Sequence, residues 1–220
     1  MKKTVIMTLC TLIFCIAAAP TAHSQGAMGI TLRASTMGAE LGLSRSLGPR
    51  LTLRSGLNFF NFSLDGETGG ADPVAYEMDL KYFSIPLMVD FFLGGGFRLT
   101  AGALFHTNLI EGTGQVLNSY SFDEDVFTPE EIGALTVKVE PGLKLLPYLG
   151  LGFGRGATGA GRLGFLLDIG VFYQGAPDVT LEADEASMIF PTTSQETEIE
   201  EDIKGLKWYP YVAIGFAIRL

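Results

Sequence analysis

The sequence predicts an all-β fold: an eight-stranded antiparallel up-and-down transmembrane β-barrel with a short amphipathic helix in the last long loop. Three observations carry that prediction. First, the 220-residue chain is 47% hydrophobic and only 18% charged, with 28 Gly and 16 Phe, yet past its N-terminus it has no apolar run long enough for a transmembrane helix. Second, its apolar residues alternate with polar or small ones at period two, the pleat repeat of a strand. Third, the connections alternate short and long, as an up-and-down meander requires. No strand–helix alternation appears, so a doubly wound sheet is not expected.

Residues 1–24 read as a secretory signal peptide, and 25–220 as an outer-membrane β-barrel domain. Lys2 and Lys3 form a basic start, Thr4 to Ala19 an apolar core, and Ala22-His23-Ser24 a small-residue cleavage site. A lipoprotein signal fits less well, because Leu9 and Phe14 precede Cys10 and Cys15 where lipidation wants a small residue. Removing the signal removes both cysteines, so no disulfide, thiolate nucleophile or cysteine metal site is expected. It leaves 13 Lys and Arg against 24 Asp and Glu, a net charge of about −11. That balance argues against nucleic acid as a partner.

The strands follow in order. Ile30 and Leu32 oppose Thr31 and Arg33; Met37, Ala39, Leu41 and Leu43 oppose Gly38, Glu40, Gly42 and Ser44, which makes two strands joined near 35–38. In 50–59, Leu51, Leu53, Leu57 and Phe59 share a face; in 83–91, Phe83, Ile85, Leu87, Val89 and Phe91. In 97–109 the apolar face runs from Phe97 to Leu109 opposite Arg98, Thr100, Gly102, His106 and Asn108. From Leu135 to Phe153 one parity is apolar, interrupted by Pro141 and Pro147. The last two strands are 162–174, RLGFLLDIGVFYQ, and 208–220, WYPYVAIGFAIRL. Short turns fall at 46–50, 93–96 and 155–161, long loops at 64–75, 110–134 and 175–207. Within the last loop, 194–206 reads as a helix with Ile199, Ile203 and Leu206 on one side.

Alternation does not by itself say which face points inward. A lipocalin-like barrel would bury the apolar face; a membrane barrel turns it outward. Three features favour the membrane arrangement. The other face is built of Gly, Ala and Ser with about one charge per strand, which suits a narrow lumen. Aromatic residues gather toward strand ends, where interface girdles lie: Phe59, Phe83, Tyr173 and Trp208 near the long loops, Phe91, Phe97 and Phe153 near the tight turns. The chain also ends on an alternating strand. Outer-membrane lipid is therefore the expected partner, the expected state is a monomer, and the expected location is the cell outer membrane.

The signal peptide, the "PYLGLGFGRG" strand-into-turn, "GFLLDIGVFYQG" and the final "YPYVAIGFAIRL" together resemble the small Gram-negative outer-membrane β-barrel proteins of OmpA-type or OmpW-type architecture. The resemblance covers essentially the whole mature chain. It implies that the barrel-assembly machinery reads the last strand. The family pattern ends in Phe, whereas this chain ends in Arg219-Leu220 with its apolar spacing kept. Members range over structural, adhesive and pore-like roles.

Candidate chemistry is sparse. The inward-facing charges Arg33, Glu40, Arg54, Asp90, Arg98, Glu140, Lys144, Asp168 and Arg219 include both signs and are expected to pair as a plug, since an isolated charge in a closed lumen is costly. A polar conduit or gate is the alternative. His106, alone once the signal is removed, has no triad around it in Thr107, Asn108 or Asp79, so neither catalytic residues nor a cofactor is expected. The acidic segment 178–202 lacks the spacing of an EF-hand loop and reads as a solvated surface. Gly154 to Gly159 fits G-x-G-x-x-G, but a strand and not a helix follows it, so these glycines serve the lumen and a turn. Phe62, Phe172, Tyr173, Tyr209 and Tyr211, with Ile199, Ile203 and Leu206, are candidates for a small hydrophobic cleft at the mouth. The expected role is a non-enzymatic, porin-like membrane protein with a structural or surface-interaction function. A narrow transporter of small hydrophobic solutes is the alternative, and a lipid-modifying enzyme the third reading.

Overall fold

A computed structural model describes residues 27–69, 73–122, 125–156, 162–183 and 193–220. The proposed signal peptide and most of the 155–161 turn lie outside them. The described chain holds thirteen strands: β1 (Met28–Ser35), β2 (Gly38–Ser46), β3 (Leu51–Glu67), β4 (Val74–Gly94), β5 (Phe97–His106), β6 (Leu109–Val116), β7 (Tyr120–Phe122), β8 (Asp125–Phe127), β9 (Ala134–Glu140), β10 (Leu145–Phe153), β11 (Leu163–Tyr173), β12 (Asp178–Ala183) and β13 (Trp208–Arg219). Two helices accompany them, α1 (Pro129–Ile132) and α2 (Thr193–Ile203). Among the described residues no helix is long and apolar enough to cross a membrane.

Eight strands close on themselves in the order β1, β2, β3, β4, β5, β10, β11, β13 and back to β1. All these pairings are antiparallel. Closure joins the first strand to the last, with Gly29 opposite Arg219 and Ser35 opposite Ala213, so this part of the sheet has no free edge. At one end lie the β2–β3 and β4–β5 connections, the latter a turn where Gly95 (φ +59°) and Gly96 (φ +94°) occupy the left-handed region that favours glycine; the two-residue β1–β2 turn at Thr36-Met37 lies at the other end.

The ring's outer face is apolar. Ile30, Leu32, Leu41, Leu43, Leu57, Phe59, Leu149, Leu151, Ile169, Val212, Ile214, Phe216 and Ile218 are all exposed on it. Ser55 is the exception in mid-wall, and its hydroxyl donates to the Pro86 carbonyl at 2.8 Å. The inner face carries the buried polar residues, among them Thr31, Arg33, Glu40, Arg54, Asp90, Arg98 and Asp168.

The segments expected as long loops are largely more sheet. β3 and β4 run on past the ring as a ladder from Phe60↔Tyr82 to Glu67↔Ala75. Three further strands continue the sheet: β6 beside β4, β9 beside β6 and β12 beside β9. In this extension the faces exchange character. On the side continuous with the lumen lie Phe60, Phe62, Leu64, Tyr76, Met78, Leu80, Ile110, Val137, Val139, Val179 and Leu181; on the other lie Ser63, Asp79, Lys81, Glu111, Thr113, Thr136, Lys138, Thr180 and Glu182. The exchange happens within one step of the chain, at the adjacent pairs Phe59↔Phe83 and Phe60↔Tyr82. The polar outer side carries ion pairs: Lys81 reaches Asp79 at 2.7 Å and Glu111 at 3.5 Å, and Lys138 pairs with Glu182. Hydrogen bonds from Lys81 and Ser63 hold the Asp79 carboxyl below the usual carboxylate range, and the bond to Glu182 raises the Lys138 ammonium.

Candidate functional site: a filled lumen beneath an apolar mouth

The lumen is filled in two layers. The layer nearer the tight turns is ionic and converges on Asp168. Arg98 Nη2 donates to Asp168 Oδ1 at 2.8 Å and Oδ2 at 2.9 Å. Arg54 Nη2 reaches Asp168 Oδ1 at 3.1 Å, and Arg33 Nη1 reaches Oδ2 at 3.1 Å. The same guanidiniums hold further acceptors: Arg54 Nη2 donates to Asp90 Oδ1 at 2.9 Å, Arg33 Nε to Glu40 Oε1 at 2.9 Å, and Arg98 Nη1 to the Gly154 carbonyl at 2.6 Å. Thr100 Oγ1 completes Asp90 at 2.7 Å. Three arginines face three carboxylates, so the layer is electrically neutral, and all six residues are buried. In a low-dielectric wall that balance is what makes their burial tolerable.

The layer above is aromatic. Tyr148, Phe172 and Tyr211 pack with ring centroids 4.7 to 5.6 Å apart, joined by Met37, Met88, Leu104 and Leu146. Glycine makes the space for both layers. A Cβ on Gly152 would lie 2.5 Å from Arg98 Nε, and one on Gly170 would lie 2.5 Å from the Tyr148 hydroxyl. Within "GLGFGRG", Gly150 and Gly152 thus make room for Tyr148 and Arg98, while Gly154 (φ +103°) lies close against the Phe165 carbonyl; β10 pairs directly with β11, which is incompatible with a dinucleotide fold.

Above the aromatic layer the mouth opens into a cavity of about 320 Å³ lined by Met37, Tyr82, Asn108, Val139, Leu206 and Tyr209 among others. Of the residues expected at a mouth cleft, Leu206 and Tyr209 line it. Phe172 and Tyr211 form the floor below, Tyr173 turns outward against Trp208 at 4.9 Å, and Phe62 lies higher on the extension. Ile199 and Ile203 are not part of the lining.

Three of the charges expected in the lumen lie elsewhere. Glu140 and Lys144 pair with each other at 2.6 Å, 45% and 59% exposed. The irregular stretch around Pro141 shifts the strand phase, and Glu140 comes to lie opposite Asp178 on the polar outer side. Arg219 is exposed at the last position of β13, where the ring wall ends. The aromatic residues expected at the rims all lie on the ring's outer side. Phe59 faces Phe83, Tyr173 faces Trp208, and Phe97 packs on Phe153 at 5.1 Å; Phe91 is exposed beside them.

His106 is fully buried and committed at both ring nitrogens. The Asn108 N–H donates to Nδ1 at 3.0 Å, so Nε2 carries the proton and donates to the Leu143 carbonyl at 2.6 Å. In the acidic segment, Glu196 accepts from the Leu181 N–H at 2.9 Å and Glu200 from the Val179 N–H at 3.0 Å. Asp184 and Glu185 lie outside the described residues, and among those described no group of His, Cys, Asp or Glu is arranged to hold a metal ion.

No protein-family model matches the sequence, and no curated protein matches it. The fold is similar to two solved structures from Acinetobacter baumannii. CarO2 is 21% identical with a TM-score of 0.60, the match covering 90% of this chain and 100% of that one. CarO is 19% identical with a TM-score of 0.56, covering 86% of this chain and 96% of that one. At this identity the likeness is one of fold.

Proposed function

We propose that the protein is a non-enzymatic outer-membrane β-barrel with a structural or surface-interaction role and a lumen closed by its own side chains. In this reading residues 1–24 are removed on export, the tight turns face the periplasm, the polar-sided extension stands outside the cell, and β13 is the strand that assembly machinery reads. The observation that carries it is the combination of an apolar ring exterior with a neutral, buried Arg–carboxylate layer filling the interior. The exterior calls for lipid; the interior is occupied by buried side chains. The girdle role of Phe59, Phe83, Phe91, Phe97, Phe153, Tyr173 and Trp208 follows from the same orientation.

The test has two parts. The protein should fractionate with the outer membrane and run faster on a gel when unheated than when boiled. Reconstituted in planar bilayers, it should give no stepwise conductance. Recovery as a soluble periplasmic protein with no mobility shift would overturn the membrane reading. Discrete conductance steps from the wild type would overturn the filled lumen.

The mouth cavity favours a second reading, a narrow transporter of small hydrophobic solutes. Against it stands the floor of Met37, Tyr148, Phe172 and Tyr211. Uptake of a labelled alkane into liposomes carrying the protein, above protein-free liposomes, decides between the two.

A further inference from the structure

We infer that the open edge of β3 above the ring, residues 61–67, is a docking site for an extended basic segment of another polypeptide, which adds to the sheet as one more strand. The inference rests on the surface-interaction reading and names the chemistry of its partner.

The edge follows from the ladder. In antiparallel pairing one residue turns its N–H and C=O to one neighbouring strand, and the next residue turns its own to the other. The Thr68 N–H donates to the Val74 carbonyl at 2.9 Å, which assigns the even-numbered residues of β3 to β4. The Leu47 N–H donates to the Leu51 carbonyl at 2.8 Å, which assigns the odd-numbered ones to the β2 side. But β2 stops at Ala39↔Phe59, while β3 runs on beside β4 to Glu67. Above the ring, the N–H and C=O groups of Asn61, Ser63 and Asp65 therefore face an open side, and no group among the described residues bonds them. Residues 59–65 are exposed without a break. The far edge of the same sheet is treated differently: on β12 the Val179 and Leu181 N–H groups are covered by Glu200 and Glu196. An uncovered edge is a template for strand addition.

Both sides of the edge specify the incoming strand. On the inner side Phe60, Phe62 and Leu64 form an exposed apolar row, the two rings stacked at 6.3 Å, which calls for apolar residues at alternate positions of the partner. On the outer side Asp65 lies opposite Glu77, with Glu67 next along. Like charges directly opposite are unfavourable. The nearby cation, Lys81, is already held by Asp79 and Glu111. A partner with Lys or Arg between its apolar residues relieves that repulsion, whereas a second copy of this chain would bring the same acids.

The experiment uses the full-length folded protein in detergent micelles and fluorescence anisotropy of a labelled peptide, Lys-Val-Lys-Val-Thr-Val-Thr-Val, with empty micelles as the blank. It should bind saturably, one per chain. The peptide with its first threonine replaced by proline, and the peptide with glutamate for both lysines, should each bind about tenfold more weakly or worse. Ser63→Pro removes an N–H that β4 does not use, so it should keep the heat-dependent gel shift and weaken binding by about tenfold. Asp65→Lys combined with Glu67→Lys should reverse the preference toward the glutamate peptide. No binding above empty micelles, equal affinity for the lysine and glutamate peptides, or undiminished binding in Ser63→Pro would each overturn the site. A dimer that takes no peptide and that Ser63→Pro dissociates would make the occupant a second copy and overturn the basic partner. Should Ser63→Pro lose its gel shift, the proline peptide and the charge-reversed variant still decide. Failure to bind, in a protein that fractionates with the outer membrane and keeps its gel shift, overturns the docking site and leaves the barrel reading standing.

Discussion

Asp168 is where the residue scale is decided. One carboxylate serves three guanidiniums, and each of those arginines also holds a second acceptor. Removing the centre leaves buried positive charge without its shared partner. Breaking a buried ionic arrangement by deleting one member typically costs about 3–5 kcal/mol. Asp168→Leu is therefore expected to lower unfolding resistance by that order, measured as the urea midpoint of the gel-mobility shift. Lys144→Leu, which loses only an exposed pair, should stay within about 1 kcal/mol of wild type. The sequence marks Arg33, Arg54, Asp90, Arg98 and Asp168 as inward because they sit on unbroken alternation. It misplaces Glu140 because Pro141-Gly142 cuts that residue off from the phase of β10, and Lys144 because it lies before β10 begins, where it pairs with Glu140 in the open.

At the scale of elements, the extension ends in a strand that needs covering. The outer side of β12 would present unpaired N–H groups, a template for unwanted pairing. Helix α2 answers this with two carboxylates one turn apart, Glu196 and Glu200, which accept from alternate N–H groups, Leu181 and Val179. Spacing at i, i+4 on a helix approximates the i, i+2 repeat along a strand. The double substitution Glu196→Ala and Glu200→Ala should expose this edge. The expected outcome is faster proteolytic nicking within 184–207, with the gel-mobility shift of the ring retained. Helix α2 is legible from its amphipathic pattern; its partner β12 is not, because that segment reads as part of an acidic loop.

For the whole molecule, the exchange of faces between ring and extension divides the chain into two environments. Below Phe59 and Phe83 the wall presents an apolar face away from the axis, around a lumen plugged by its ionic and aromatic layers; above Phe60 and Tyr82 the apolar face is the one toward the axis. A lysine probe should therefore register the boundary. Ile214→Lys, on the outer face of β13 between the rims, should cost about 2–4 kcal/mol if the residue sits near the bilayer midplane. Thr180→Lys, on the polar outer side of β12, should cost about 0.5 kcal/mol or less, as exposed substitutions do. Comparing their unfolding midpoints in lipid vesicles checks this. Equal effects would mean that one solvent bathes both levels.

Period-two alternation by itself determined which segments of the ring are strands and which residues share a face; the small residues on one face and the aromatic residues at the strand ends pointed the apolar face outward. The reason is local, since the pleat sends successive side chains to opposite sides whatever lies beyond. The doublets Phe59-Phe60 and Tyr82-Phe83 even record the exchange of faces, as paired slips in phase. Only the tertiary structure decided that β6, β9 and β12 prolong the sheet, that Glu140 turns outward, and that Arg33, Arg54 and Arg98 meet on one carboxylate. Those outcomes depend on which strands become neighbours and how they are staggered around the closed ring. A stretch of chain carries its own pleat but not the stagger of the strands opposite it.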